Sequence, residues 1–157
     1  MIGLDRWSLI EKAVMSAVHS VAADDMKKAV VRETKQQIDK EVYSFKANEY
    51  ERTYELRESV TGEVNIIPSG VELEVYHDTS KIIPRTEGFW TQHSSLVDHS
   101  SQNDLLPLWI VEGTENSPYY NHSPRDYISS TKRSLRIGQR HLVALREGLR
   151  RRGINTI

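Results

Sequence analysis

Between Ser123 and Arg152 the chain carries a pattern that a long amphipathic helix satisfies. Ile128, Thr131, Leu135, Gly138, Leu142, Leu145 and Leu149 recur at alternating steps of 3 and 4, which returns them to one face of a 3.6-residue helix. Ser123 is a good N-cap, Pro124 takes the first helical position and Asp126 lies three residues after the cap, the order expected of a helix start. Arg150, Arg151 and Arg152 complement the negative end of the helix dipole, and Gly153 ends the helix. The sequence therefore predicts a helix over 123–152. Leu135, Leu142 and Leu145 are expected in its core. Gly138 costs about 1 kcal/mol relative to Ala, and on the seam it would admit another backbone.

A second helix is predicted over 5–40. Trp7, Ile10, Val14, Ala17 and Val21 form an apolar stripe at the same 3-4 spacing. Past Asp24 and Asp25, where a kink is expected, the stripe weakens and polar residues dominate to Lys40. That distal half is too polar to be buried by its own chain alone. It is either a solvated helix end or a surface completed by a neighbouring subunit.

Between the helices the period changes to 2. Tyr54, Leu56, Glu58 and Val60 alternate with Glu55, Arg57 and Ser59; after Pro68-Ser69-Gly70, Val71, Leu73 and Val75 alternate with Glu72, Glu74 and Tyr76. This predicts a β-hairpin over 54–76 with one half-buried face. Residues 78–107 read as a long polar loop, with Phe89-Trp90 either an exposed contact patch or a lid over the sheet. A loop of that length in a small domain is often functional or ordered by a partner. Leu105 to Val111 is short and apolar, a strand or a helical turn. The fold class is α+β: a long N-terminal helix, a small antiparallel sheet, and a long C-terminal helix packed on the sheet.

Length and composition fit one domain over 1–157 with a modest core. Of 157 residues, 38% are apolar and 27% charged, which favours elements that stay partly solvated or are completed by other subunits. There is no cysteine, so disulfide frameworks and cysteine zinc sites are excluded. No apolar run approaches the roughly 20 residues of a membrane span, and no secretory signal is visible. Net charge is −1, but Tyr50 to Asp78 is dominated by acids while Arg125 to Arg152 holds nine bases against two acids. Such asymmetry points to head-to-tail contact between unlike faces, or to a basic face turned toward nucleic acid.

The chemistry-bearing residues do not assemble a catalytic pattern. His77, Asp78, His93, Asp98 and His99 cluster in or beside the long loop, yet a metal site needs three or four rigidly held ligands and no helical His-x-x-x-His spacing occurs. His19 and His141 read as surface histidines. Glu112 has no partner base or nucleophile elbow, and no glycine loop cradles a phosphate. Gly113 instead reads as the pivot of a tight turn. No catalytic, cofactor or metal residue is assigned, and an enzyme is disfavoured. Arg133, Arg136 and Arg140 have three open readings: a solvated face, pairing with Glu72 and Glu74 of a neighbour's hairpin, or phosphate contact.

Several segments taken in order resemble a known family. They are Val42-Tyr43, Glu49-Tyr50-Glu51-Arg52-Thr53, Leu56-Arg57, Ser59-Val60 and the tripeptide Glu112-Gly113-Thr114, followed by the basic helix. In this the chain is similar to the small neck and tail-completion proteins that join head to tail in long-tailed bacteriophages. The resemblance implies a virion protein, made in the host cytoplasm, at the neck or upper end of the tail. It implies a homo-oligomeric ring, six-fold by the symmetry of tail tubes, that contacts neighbouring neck and tail-tube proteins and surrounds a DNA channel. From the residues themselves, no membrane partner and no cofactor are expected. The 78–107 segment departs from the family, whose members pass more directly from hairpin to Glu-Gly-Thr. Interface candidates are Phe89, Trp90, Glu72, Glu74, Glu112, Gly113, Thr114, Arg133, Arg136 and Arg140. The alternative is a basic nucleic-acid-binding module using the last helix.

Overall fold

The computed structural model describes residues 3–44, 54–67, 70–82, 102–113 and 123–156. The chain is α+β, as the periodicities predict. Helix α1 (Gly3–Val21) passes through a π-helical turn (Ala22–Met26) into α2 (Lys27–Glu41). The π turn contains Asp24 and Asp25, where the sequence suggested a kink, and a wider turn of this kind shifts the facing of the residues beyond it. A single helical turn, α3 (Glu55–Glu58), precedes the antiparallel pair β1 (Val60–Ile67) and β2 (Gly70–His77). A short 3₁₀ turn (Thr79–Lys81) follows, then α4 (Gln102–Glu112), α5 (Tyr127–Gly138) and α6 (Arg140–Arg151).

Several predicted boundaries move, each for a local reason. The first strand begins at Val60 rather than Tyr54, because residues 55–58 close a helical turn with Glu58 and Ser59 N–H donating to the Tyr54 and Glu55 carbonyls. The expected turn at Pro68-Ser69 lies outside the described residues. Strand β2 keeps the anticipated alternation, with Val71, Leu73 and Val75 half-buried and Glu72, Glu74 and Tyr76 exposed. The 78–107 loop ends early, at α4, which carries Pro107 inside it.

The C-terminal helix is two helices. Its N-cap is Asp126 rather than Ser123, because the Asp126 carboxylate accepts the Ser129 N–H at 2.8 Å. The Ser129 hydroxyl, with the Ser129 N–H adding to it, holds the Asp126 carboxyl below its ordinary pKa. Gln139 then adopts a left-handed conformation (φ 48°) and breaks the run. The break shifts the phase of the seam. In α5 Tyr127 and Thr131 are buried; in α6 Gly148 and Leu149 are buried, while Leu142 is 43% exposed. Leu135 and Leu145 are half-buried, so Leu142 leaves the expected core. Gly138 is exposed, and a Cβ there would meet only the Arg140 side chain, at 3.7 Å. The close approach belongs to Gly148, where a Cβ would collide with Val21 and lie 2.6 Å from Asp25 Oδ2. Helix α6 packs on the π turn and on α1. The C-terminal region meets the strands at Tyr127, which bonds His77 at the end of β2. The end of α6 is as predicted: Gly153 takes φ 76°, and the Ile154 and Gly153 N–H groups return to the Leu149 and Arg150 carbonyls.

The described chain gathers into two compact units, one of residues 1–33, 62–76 and 133–157, the other of residues 34–61 and 77–132. The first buries Val21, Ala22, Ala29 and Leu149, and the second buries Ile38, Val42, Leu56, Val60, Ile82 and Tyr127.

Candidate functional site

In the second unit a chain of hydrogen bonds links three elements. The Ser59 hydroxyl donates to the Leu56 carbonyl at 2.8 Å. Its oxygen is then left to accept from His77 Nδ1 at 2.7 Å, and His77 Nε2 accepts from the Tyr127 hydroxyl at 2.7 Å. The first bond makes Nδ1 the donor, and in the neutral ring that burial favours Nε2 is then the acceptor. Burial disfavours the imidazolium and lowers the His77 pKa, opposed by the Leu56 carbonyl. Burial likewise raises the Tyr127 pKa, with Tyr43 and Asp126 adding to the rise. Ser59 is fully buried and its proton is committed to Leu56. The serine–histidine pair therefore holds the start of β1, the end of β2 and the start of α5 together, and His77 has both ring nitrogens engaged.

Some residues of the family resemblance lie beside this relay or on the elements that carry it. Leu56, Ser59 and Val60 are buried beside it. Arg57 bonds Asp39 at 3.3 Å and Glu58 at 2.9 Å, and lies 5.1 Å from the Tyr54 ring centre. Tyr54 itself stacks edge-on with Tyr43, ring centres 4.8 Å apart. Lys35 completes the set with Glu58 at 2.7 Å, and the Lys35 and Arg57 contacts together hold the Glu58 carboxyl below its ordinary pKa. Glu49 to Thr53 lies outside the described residues.

In the first unit, acids on the N-terminal helices meet bases near the end of the chain. Asp25 pairs with Arg151 at 2.7 Å, and Arg152 donates to Ser20 at 2.8 Å. Glu33 is 2% exposed; one of its oxygens accepts the Ser134 hydroxyl at 2.5 Å, the other Arg140 at 2.9 Å. A buried carboxylate with two donors is satisfied, and removing the Arg140 guanidinium would leave its charge without that counter-ion.

The interface candidates divide accordingly. Arg140 is committed to Glu33 within the chain. Arg133 and Arg136 on α5, and Glu72 and Glu74 on β2, are exposed and form no ion pair among the described residues. Glu112 is exposed at the end of α4, and Gly113 takes φ 79° with its N–H on the Trp109 carbonyl, the tight turn expected of it. Phe89, Trp90 and Thr114 lie outside the described residues, as do His93, Asp98 and His99.

A further surface inverts the sequence expectation. All of Arg6 to Val14 is exposed, including Trp7 at 73%, Ile10 at 52% and Val14 at 38%. The stripe predicted to enter a core is bare on its first turns, and it becomes buried only at Val21. The polar pairs of the relay and of Glu33 were invisible to local pattern because their members are far apart, Tyr127 and His77 by 50 residues and Ser134 and Glu33 by 101. No described helix is long and apolar enough to cross a membrane.

No curated protein and no solved structure matches the chain. The family model YomN matches residues 6–151, a span that runs from the bare start of α1 to the last turn of α6 and takes in both units. The chain belongs to the YomN family, a phage-derived family of prophage type.

Proposed function

We propose that the protein is a structural component of the phage particle at the head–tail junction, acting as a ring that completes the tail or joins it to the head. One observation carries the reading: the apolar stripe of α1 is exposed at Trp7, Ile10 and Val14 and reaches full burial only at Val21. A helix face of that kind on a member of a phage-derived family supports a chain finished by neighbours in an assembly. The resemblance to neck and tail-completion proteins supplies the place in the particle and the six-fold expectation. The test is deletion of the gene in the inducible phage. Full heads and finished tails that fail to meet are the expected products. Normally joined particles, or particles lacking this protein altogether, would refute the assignment.

The nucleic-acid reading keeps one supporting observation, the exposed Lys132, Arg133 and Arg136 on α5. Against it, Arg140, Arg151 and Arg152 are engaged within the chain. Tight duplex binding whose log–log salt slope falls by about one per arginine removed, alongside normal joining, would favour that module over the neck protein.

A further inference from the structure

The bare stripe on α1 has a counterpart in the same unit. Helices α2 and α6 leave an open groove between them, with Ala29, Ala144 and Val143 as its apolar lining and charged residues along its sides, of which Lys28, Arg140 and the Asp25–Arg151 couple are paired within the chain. Arg32 stands on the α2 wall and Glu147 on the α6 wall. Both are exposed, and neither forms an ion pair among the described residues. Trp7, Ile10 and Val14 fall at i, i+3 and i+7, the anchor spacing with which an amphipathic helix enters a groove between two helices. Arg6 and Glu11 flank that stripe on opposite sides, exposed and likewise without an ion pair.

We propose that the first turns of α1 from one copy of this chain dock into the α2–α6 groove of a second copy. The charges set the orientation. Glu11 faces the Arg32 wall, and Arg6 faces the Glu147 wall. Small residues in the lining let the incoming helix approach closely, and its bulky side chains fill the space that alanine leaves. A copy cannot fill its own groove. Ile10 and Ala29 lie on one continuous helical run, roughly 28 Å apart at 1.5 Å per residue. The contact joins two different surfaces of the same chain, so it is heterologous and propagates from copy to copy, closing as a ring or continuing as a filament. It names the self-contact of the proposed ring and rests on that reading for closure, but not for the pairing itself.

The chain contains no cysteine, so cross-linking can be read without background. Purified Val14→Cys and Val143→Cys single variants are mixed and oxidised, and the double variant is oxidised separately. The expected result is disulfide dimers of unlike chains in the mixture, and a ladder of higher multimers in the double variant. Trp7→Ala should weaken association by roughly tenfold or more, the effect of losing an anchor. Glu11→Arg and Arg32→Glu should each weaken it, and the two together should restore it. Efficient cross-linking of Val14→Cys with itself would instead mean that the stripes pair with each other, and overturns the proposal. So does a chain that stays monomeric throughout, or one that assembles without a Val14–Val143 link. The last outcome leaves the neck assignment standing, whereas joined particles after gene deletion would remove that assignment and leave the cross-link intact.

Discussion

The two halves of the N-terminal helical run contradict their own compositions. Its first part, through Val14, is rich in large apolar side chains and exposed; its second part, α2, is charged and covered. In α2 the buried positions are Ala29, Glu33, Thr34 and Ile38, with Val42 just beyond. Their spacing is as helical as that of Trp7, Ile10 and Val14, but two of the four are polar. Glu33 can be buried because α5 and α6 bring hydroxyl and guanidinium groups to its carboxylate. Burial thus follows which face finds a partner. An apolar stripe with no partner in its own chain stays bare, and a polar one with matched donors goes inside.

The largest effect that sharpens this contrast is at Ile38, which is fully buried. Ile38→Ala should cost about 2–5 kcal/mol in chemical denaturation, the range for truncating a buried isoleucine. A loss below about 1 kcal/mol would mean that the covered half is not packed as described.

Gly148 comes next. Val21 and Asp25 occupy the space that a side chain there would need, so Gly148→Ala should cost about 1–3 kcal/mol through overpacking. Gly138→Ala should do the reverse and gain up to about 1 kcal/mol, since its surroundings are open. Both glycines lie in the C-terminal helical pattern, and sequence alone singled out the wrong one. The periodic argument assumed an unbroken helix, and Gln139, a residue with no special preference for a left-handed conformation, breaks it. Locally encoded features were legible: the α+β class, an irregularity of the helix at the paired aspartates (though not that it is a π turn), the alternation of β2, the turn at Gly113 and the terminator at Gly153. Those set by distant partners were not. Ser59, His77 and Tyr127 come together from separate elements, and nothing in their immediate neighbours marks them as a set.

That relay gives a smaller effect and a pH dependence. Tyr127→Phe leaves His77 Nε2 without its donor and should cost about 1–2 kcal/mol, as expected for an unsatisfied, partly buried acceptor. Burial places the folded pKa of His77 below the ordinary 6.5. The unfolded chain therefore takes up the proton first as pH falls, and the native state loses stability below about pH 6.5. His77→Gln should flatten that acid-side slope in thermal melts recorded from pH 7.5 to 5. An unchanged slope would assign the titration to other groups.

The smallest effect tests the bare half directly. Ile10 is about half exposed on a part of α1 whose residues are all exposed, so much of the apolar surface that Ile10→Ser removes still lies in water. In dilute solution, where copies are separate, its unfolding free energy should stay within about 0.5 kcal/mol of the parent, as for an ordinary surface substitution. The same change at Ile38 strands a hydroxyl in the core and adds a desolvation penalty to the lost packing. Melts repeated over rising protein concentration separate the two meanings of exposure. If a second copy covers the stripe, the parent should gain stability with concentration by mass action while Ile10→Ser gains less. A large loss for Ile10→Ser already at the lowest concentration would place Ile10 in the monomer's own core, and the contrast between the two halves of the helix would disappear.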